Sequence, residues 1–70
     1  MKLNIQLLEY NFEDGEAERY AEFLEKNGHS VKIISRTSGV TPRVTCDDDS
    51  VSDDEIEFEM DRLGQTFMNS

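Results

Sequence analysis

The residues best equipped for chemistry in this chain are carboxylates, and most of them lie in its last third. Nine acids and one base occupy residues 47–70, which gives this segment a net charge of −8. Residues 1–46 carry seven acids and six bases, a net charge of −1. Most of the net charge of the 70-residue chain therefore lies in one segment. Such an asymmetry indicates an interaction surface, but it does not predict the fold.

The charge density of this segment approaches that of a nucleic acid. Six acids fall within residues 53–61 without an intervening lysine or arginine. On a helix they would lie along about 12 Å of axis, or one negative charge per roughly 2 Å, whereas duplex DNA carries one per about 1.7 Å. Such a surface can occupy a basic nucleic-acid channel on another protein. The predicted partner-binding residues are Asp47, Asp48, Asp49, Asp53, Asp54, Glu55, Glu57, Phe58, Glu59 and Asp61.

Two other interpretations of the acidic run stay open at this point. A run of charge is commonly a solvated face that keeps a small protein soluble. The acids also offer oxygen ligands to a divalent cation, but the EF-hand pattern is not met. With Asp48 at the first position and Glu59 at the twelfth, Asp53 stands where that loop needs glycine. We therefore expect no dedicated metal site and no cofactor.

Several function classes are disfavoured by composition. Direct binding of nucleic acid or of an acidic membrane needs clustered Lys and Arg, but the seven bases are scattered. Acids on an open helical face would ionise together, so they lack the separated environments of an acid–base pair. The only histidine, His29, is expected to be a capping or surface residue, and Cys46 a small core residue without a histidine partner. The chain is not expected to be an enzyme.

The segment from Tyr20 to Val31 resembles the helix-to-strand junction of nucleotide-binding βαβ units and of glutaredoxins. Neither a glycine-rich loop nor a Cys-x-x-Cys motif lies between the first strand and the helix, so the chemistry of those families is not implied. The small size, the acidity and the lack of a catalytic motif resemble anti-CRISPR and anti-restriction inhibitors of phages and mobile elements. That resemblance implies a protein that blocks a nucleic-acid-handling enzyme as a DNA mimic.

The elements that must position these acids follow from apolar periodicity. Ala17, Tyr20, Ala21 and Leu24 recur at helical spacing, and Gly28 follows where a left-handed C-terminal cap belongs. Shorter alternating runs predict strands, of which the third contains Pro42 and is expected to be an edge strand or to have interrupted pairing. The predicted elements are strand 2–8, helix 14–27, strand 30–36, strand 40–46, an acidic loop over 47–51 and helix 53–68.

The last helix has a competing interpretation. Ile56, Met60, Leu63 and Phe67 form one helical stripe, and Ser52 stands three residues before Glu55 at capping-box spacing. Residues 56–60 also alternate as a strand would. We favour the helix because the stripe continues to residue 67 and its start is capped. Gly64 weakens its last turns by about 1 kcal/mol relative to alanine.

These elements predict an α+β fold: a single β-α-β-β-α domain over residues 1–70, with a three-stranded mixed sheet and two helices packed on one face. The first two strands should be parallel, and the connection between the second and third is short enough for a hairpin. Three aromatic residues lie outside these apolar stripes: Phe23, Phe58 and Tyr10. We favour positions in the core for their side chains. Alternatively, Phe58 is an apolar anchor among the acids.

The predicted function is a small acidic binding protein that inhibits or modulates a basic, nucleic-acid-handling protein. The alternative is a structural or accessory subunit of a larger assembly, whose acids serve solubility. A homodimer is a further possibility for so small a core. The first residues lack the continuous apolar run of a signal peptide, so a cytoplasmic location is expected.

Overall fold

Three short strands form the sheet on which the molecule is built. The computed structural model describes residues 1–35 and 41–69, and its strands are β1 (Leu3–Leu8), β2 (Ser30–Ile34) and β3 (Val44–Cys46). The strand order is β2-β1-β3, with β1 parallel to β2 and antiparallel to β3. The predicted three-stranded mixed sheet is confirmed. The predicted strand ends at Arg36 and Val40 lie outside the described residues, as does the turn between them.

The expected hairpin between the second and third strands is wrong, because β3 pairs with β1 instead. Cys46 lies opposite Leu3, and Val44 lies opposite Ile5. Beyond the strand, the backbone N–H of Gln6 donates to the carbonyl oxygen of Arg43 at 2.9 Å, and the Arg43 N–H donates to the Gln6 side-chain oxygen at 3.1 Å. This order places the most apolar strand in the centre. As Pro42 predicted, β3 lies at an edge of the sheet.

One face of this sheet carries the core. Leu3, Ile5 and Leu7 of β1 are buried, while the alternate residues of β1 are only half-buried. The strand register brings the partly buried apolar residues of the neighbouring strands to the same face, and these residues are Val31, Ile33, Val44 and Cys46. The opposite face is largely polar, and Asn4, Gln6, Lys32 and Thr45 lie on it.

The first helix, α1 (Glu16–Lys26), covers this face with the predicted stripe. All four stripe residues, Ala17, Tyr20, Ala21 and Leu24, are buried. The helix ends in a Schellman motif: Gly28 has φ +90°, its N–H donates to the carbonyl oxygen of Glu25, and the N–H of His29 donates to that of Leu24. The predicted cap is confirmed, and it turns the chain directly into β2. A short 3-10 turn, Glu9–Asn11, joins β1 to the loop before α1.

The second helix, α2 (Asp53–Met68), completes the cover, and the strand alternative for residues 56–60 is wrong. Ser52 caps it, since its hydroxyl oxygen accepts from the Glu55 N–H at 3.2 Å and also contacts the Glu55 carboxylate at 3.4 Å. Leu63 is 1% exposed within the core, and the other stripe residues, Ile56, Met60 and Phe67, pack against the same cluster. Six of the nine acids of residues 47–70 therefore lie on a helix whose apolar side packs against the core.

His29 joins the start of β2 to the start of β1. Its side chain is buried, whereas a capping or surface position was predicted. The residue is 7% exposed, and its Nδ1 accepts a 3.0 Å hydrogen bond from the backbone N–H of Leu3. An accepting Nδ1 requires the neutral ring with its proton on Nε2. Burial lowers the pKa of His29 from its ordinary value, which the nearby Glu59 opposes and the N-terminus and Arg62 reinforce. The histidine is therefore an uncharged acceptor that satisfies the first amide of β1.

Acidification should weaken the fold through this residue. The unfolded chain takes up the His29 proton near pH 6.5, whereas the folded protein takes it up only at lower pH, so stability falls as pH drops below about 7. A charged ring also turns the acceptor into a donor that faces the Leu3 N–H. We expect a loss on the order of 1 kcal/mol in the free energy of unfolding by urea between about pH 7.5 and 5.5.

The matched control is His29→Asn, because the Asn Oδ1 atom replaces the accepting Nδ1 and does not titrate. Over the same pH range this variant should show a smaller loss than the wild type. Equal pH dependence of the two proteins would contradict the role assigned to His29.

Candidate functional site

The predicted acids divide into groups once they are placed on the fold. Asp54, Glu57, Phe58 and Asp61 line one shallow concavity on the side of α2 that faces away from the core. We refer to these four residues as the outer face of α2. In this set, the acids are exposed and make no ion pair within the described part of the chain. Helical geometry explains the grouping, since residues three, four and seven positions apart share one side of a helix.

Phe58 is the apolar member of this surface, and the core interpretation favoured for it is wrong. Its side chain is 74% exposed, the opposite of what a core residue would show. Tyr10 is also outside the core, at 64% exposed. Phe23 does pack against the core cluster, as expected. Phe58 therefore lies at the surface among carboxylates, and its role as an apolar anchor stays a prediction.

Glu59 is separated from the other acids of α2. Its side chain is 19% exposed, and its carboxylate accepts a 2.6 Å hydrogen bond from Nε of Arg62 and forms an ion pair with the same guanidinium. Residue 59 lies next to the inner stripe on the helix, which explains its partial burial. The Glu59 charge is therefore compensated, and five acids of residues 53–61 remain without an ion pair among the described residues.

The remaining predicted acids lie at the beginning of α2 and in the loop before it. Asp53 and Glu55 occupy its first turn together with Asp54, where carboxylates are stabilised by the helix dipole. In the loop, Asp47 accepts a 3.0 Å hydrogen bond from the Asn4 amide of the sheet. This contact ties the loop to β1, while Asp49 is exposed.

Asp48 forms a compact turn with Ser50. Its Oδ1 accepts from the Ser50 hydroxyl at 2.6 Å and from the Ser50 N–H at 2.9 Å. These bonds, the hydroxyl first, hold the pKa of Asp48 below its ordinary value. Its carboxylate therefore stays ionised at neutral pH.

The acids of α2 form an open surface rather than a single cluster. Among the described residues, no group of three or more His, Cys, Asp or Glu side chains is placed to hold one metal ion. The acids of α2 lie along a helix, so the exposed ones present a row of negative charge to solvent.

A second concave surface was missed by the sequence analysis. It is a cleft of about 480 Å³ between α1 and α2, lined mainly by Phe12, Tyr20, Gly64 and Phe67. The ring centroids of Tyr20 and Phe67 are 4.8 Å apart, and those of Tyr20 and Phe12 are 6.0 Å apart. Gly64, which adjoins the apolar stripe of α2, is the signal that could have identified this cleft.

Cys46 has a structural position. Its side chain packs against the core cluster as expected, and the thiol donates to the carbonyl oxygen of Lys2 at 3.3 Å. Neither end of this contact involves the outer face of α2.

Comparison of the chain with protein-family models, with curated proteins and with solved structures finds no match. None of the helices within the described ranges combines the length and the apolar character needed to cross a bilayer.

The exposure of Phe58 predicts a neutral stability effect for Phe58→Ala. Because the ring is outside the core and alanine favours a helix, the free energy of unfolding by urea should change by no more than about 0.5 kcal/mol. Leu63→Ala on the inner side of the same helix is the matched control and should lose about 2–5 kcal/mol. A loss above about 2 kcal/mol for Phe58→Ala would place its ring in the core and contradict the outer face.

Proposed function

We propose that this protein is a small, non-catalytic inhibitor or modulator of a basic, nucleic-acid-handling protein. The outer face of α2 occupies the cationic site where that partner binds phosphates. The observation that carries the proposal is Phe58, 74% exposed among Asp54, Glu57 and Asp61. Acids alone would serve solubility, but a large exposed aromatic ring in their midst would work against it.

The charge of α2 supports electrostatic mimicry of a nucleic acid. With Glu59 compensated by Arg62, five acids extend over about 12 Å of helix axis, or one charge per roughly 2.4 Å. This density lies between that of one DNA strand, about one charge per 3.4 Å, and that of the duplex, about one per 1.7 Å. A cationic channel would release the same class of counterions on binding this helix as on binding DNA.

Phe58 provides an apolar contact, which a row of charged side chains lacks. Exposed ion pairs contribute little affinity individually, and interfaces draw most of their energy from a few desolvated anchors, often aromatic. A phenyl ring flanked by carboxylates fits a partner that has an apolar pocket within a basic surface. Proteins that bind single-stranded nucleic acid combine these two features, because they stack bases beside cationic grooves.

The anti-CRISPR and anti-restriction inhibitors of phages and mobile elements are the class that this proposal resembles. That class joins small size and acidity to a target that handles nucleic acid. A cytoplasmic location is part of the same proposal.

The test is a capture experiment with the full chain immobilised and nuclease-treated lysate of the source cells applied. We expect bound proteins that DNA or heparin displaces and that salt releases steeply. The double variant Glu57→Lys/Asp61→Lys should lose these proteins, and Phe58→Ala should weaken their binding about tenfold or more, as the loss of an anchor does.

The matched control is Glu13→Lys/Glu25→Lys, which makes the same change in net charge at exposed acids away from α2. This control should retain the captured proteins. The proposal is contradicted if the α2 variant captures the same proteins with the same affinity, or if the control loses as much. Capture that salt does not weaken would instead support an accessory subunit.

A further inference from the structure

The cleft between α1 and α2 has the size and the lining of a small-molecule site. Its volume of about 480 Å³ lies within the range of ligand pockets, roughly 300–1,000 Å³. Three of its principal lining residues are aromatic: Phe12, Tyr20 and Phe67. The cleft opens on the helix junction rather than on the outer face of α2, so it is independent of the function proposed above.

The rings leave one polar group directed at the cleft. Tyr20 makes ring contacts with Phe12, Phe23 and Phe67, but its hydroxyl makes no hydrogen bond with a described residue. The hydroxyl oxygen is 3.8 Å from the position that a Cβ atom on residue 64 would occupy. Burial raises the pKa of Tyr20, so its hydroxyl remains a hydrogen-bond donor at neutral pH.

Gly64 keeps this space open at a cost to its helix. Glycine within a helix is about 1 kcal/mol less favourable than alanine. The backbone at Gly64 does not need glycine, since only Gly15 and Gly28 have positive φ among the described residues, and a Cβ would make ordinary contact with Tyr20. A residue that weakens its own helix without a structural reason points to a function for the space it leaves.

The rim of the cleft carries two opposite charges that do not neutralise each other. Glu16 and Arg19 both line it, three positions apart on α1. Neither forms an ion pair with the other or with another described residue. A ligand that carries both an ammonium and a carboxylate would satisfy both side chains, whereas an anion or a cation would face one like charge.

From these features we infer that the cleft binds a small zwitterionic aromatic molecule of the α-amino-acid type. Its ring packs on the cleft-facing edges of Phe12, Tyr20 and Phe67, its carboxylate contacts Arg19 and its ammonium contacts Glu16. The space beside Gly64 admits the edge of the ring.

Titration of the isotope-labelled full chain with L-tryptophan, followed by amide NMR shifts, tests this inference. We expect saturable shifts that centre on Tyr20, Gly64 and Phe67. Indole-3-propionate lacks the ammonium and tryptamine lacks the carboxylate, and each should bind roughly two- to fivefold more weakly, as exposed ion pairs contribute. L-leucine, which has the charges without the ring, should give no saturable shift.

Gly64→Leu fills the cleft and replaces glycine with a stronger helix former, so the variant should keep or raise its melting temperature. It should weaken L-tryptophan binding by at least tenfold. Gln65→Leu is the matched control, because residue 65 is exposed on the same turn outside the cleft, and it should bind as the wild type does.

Any one of these results would overturn the inference: no saturable shift with L-tryptophan, undiminished binding by Gly64→Leu, equal binding of uncharged indole, or shifts that change on dilution without ligand. Shifts that change on dilution would assign the cleft to a second copy of the chain. Equal binding of N-acetyl-L-tryptophanamide would also overturn it, because the occupant would then be an aromatic residue of a partner peptide.

Discussion

The rest of the structure depends on one constraint: a three-stranded sheet with a single apolar face that two helices must cover. α1 covers part of this face with its four buried stripe residues, and α2 reaches it through Leu63 and the half-buried residues of its stripe. The inner side of α2 is therefore committed to the core, which leaves the acids and Phe58 facing solvent. The same helix closes the fold and presents most of the charge, so the outer face of α2 is held on a rigid element rather than on a loop.

The turn between α1 and β2 helps to hold α1 against the apolar face of the sheet. The Schellman motif at Gly28 reverses the chain and delivers His29 into the core, where its ring accepts the Leu3 N–H of the neighbouring strand. One local turn thereby fixes the helix end, the start of β2 and the first amide of β1. The uncharged state of His29 is part of this link, because only the neutral ring can accept the Leu3 N–H at Nδ1.

The helices could be predicted from the sequence because their signals are local. The stripe of α1, the glycine cap and the Ser52 capping box each involve residues within one or two turns. The partner of β3 could not be predicted, since it depends on contacts such as Gln6 with Arg43, which are distant in the chain. The exposure of Phe58 could have been predicted, because on a helix its side chain lies about 200° from that of Ile56. A helix that buries Ile56 therefore turns Phe58 toward solvent.

The central claim is that the outer face of α2 is the electrostatic binding surface of this protein, and amide NMR mapping with an arginine octapeptide tests it most directly. The account predicts shifts concentrated at Asp54, Glu57, Phe58 and Asp61 that disappear as salt is raised. Shifts spread equally over the exposed acids of α1 would contradict it, because the charge of α2 would then be no more than a contribution to solubility.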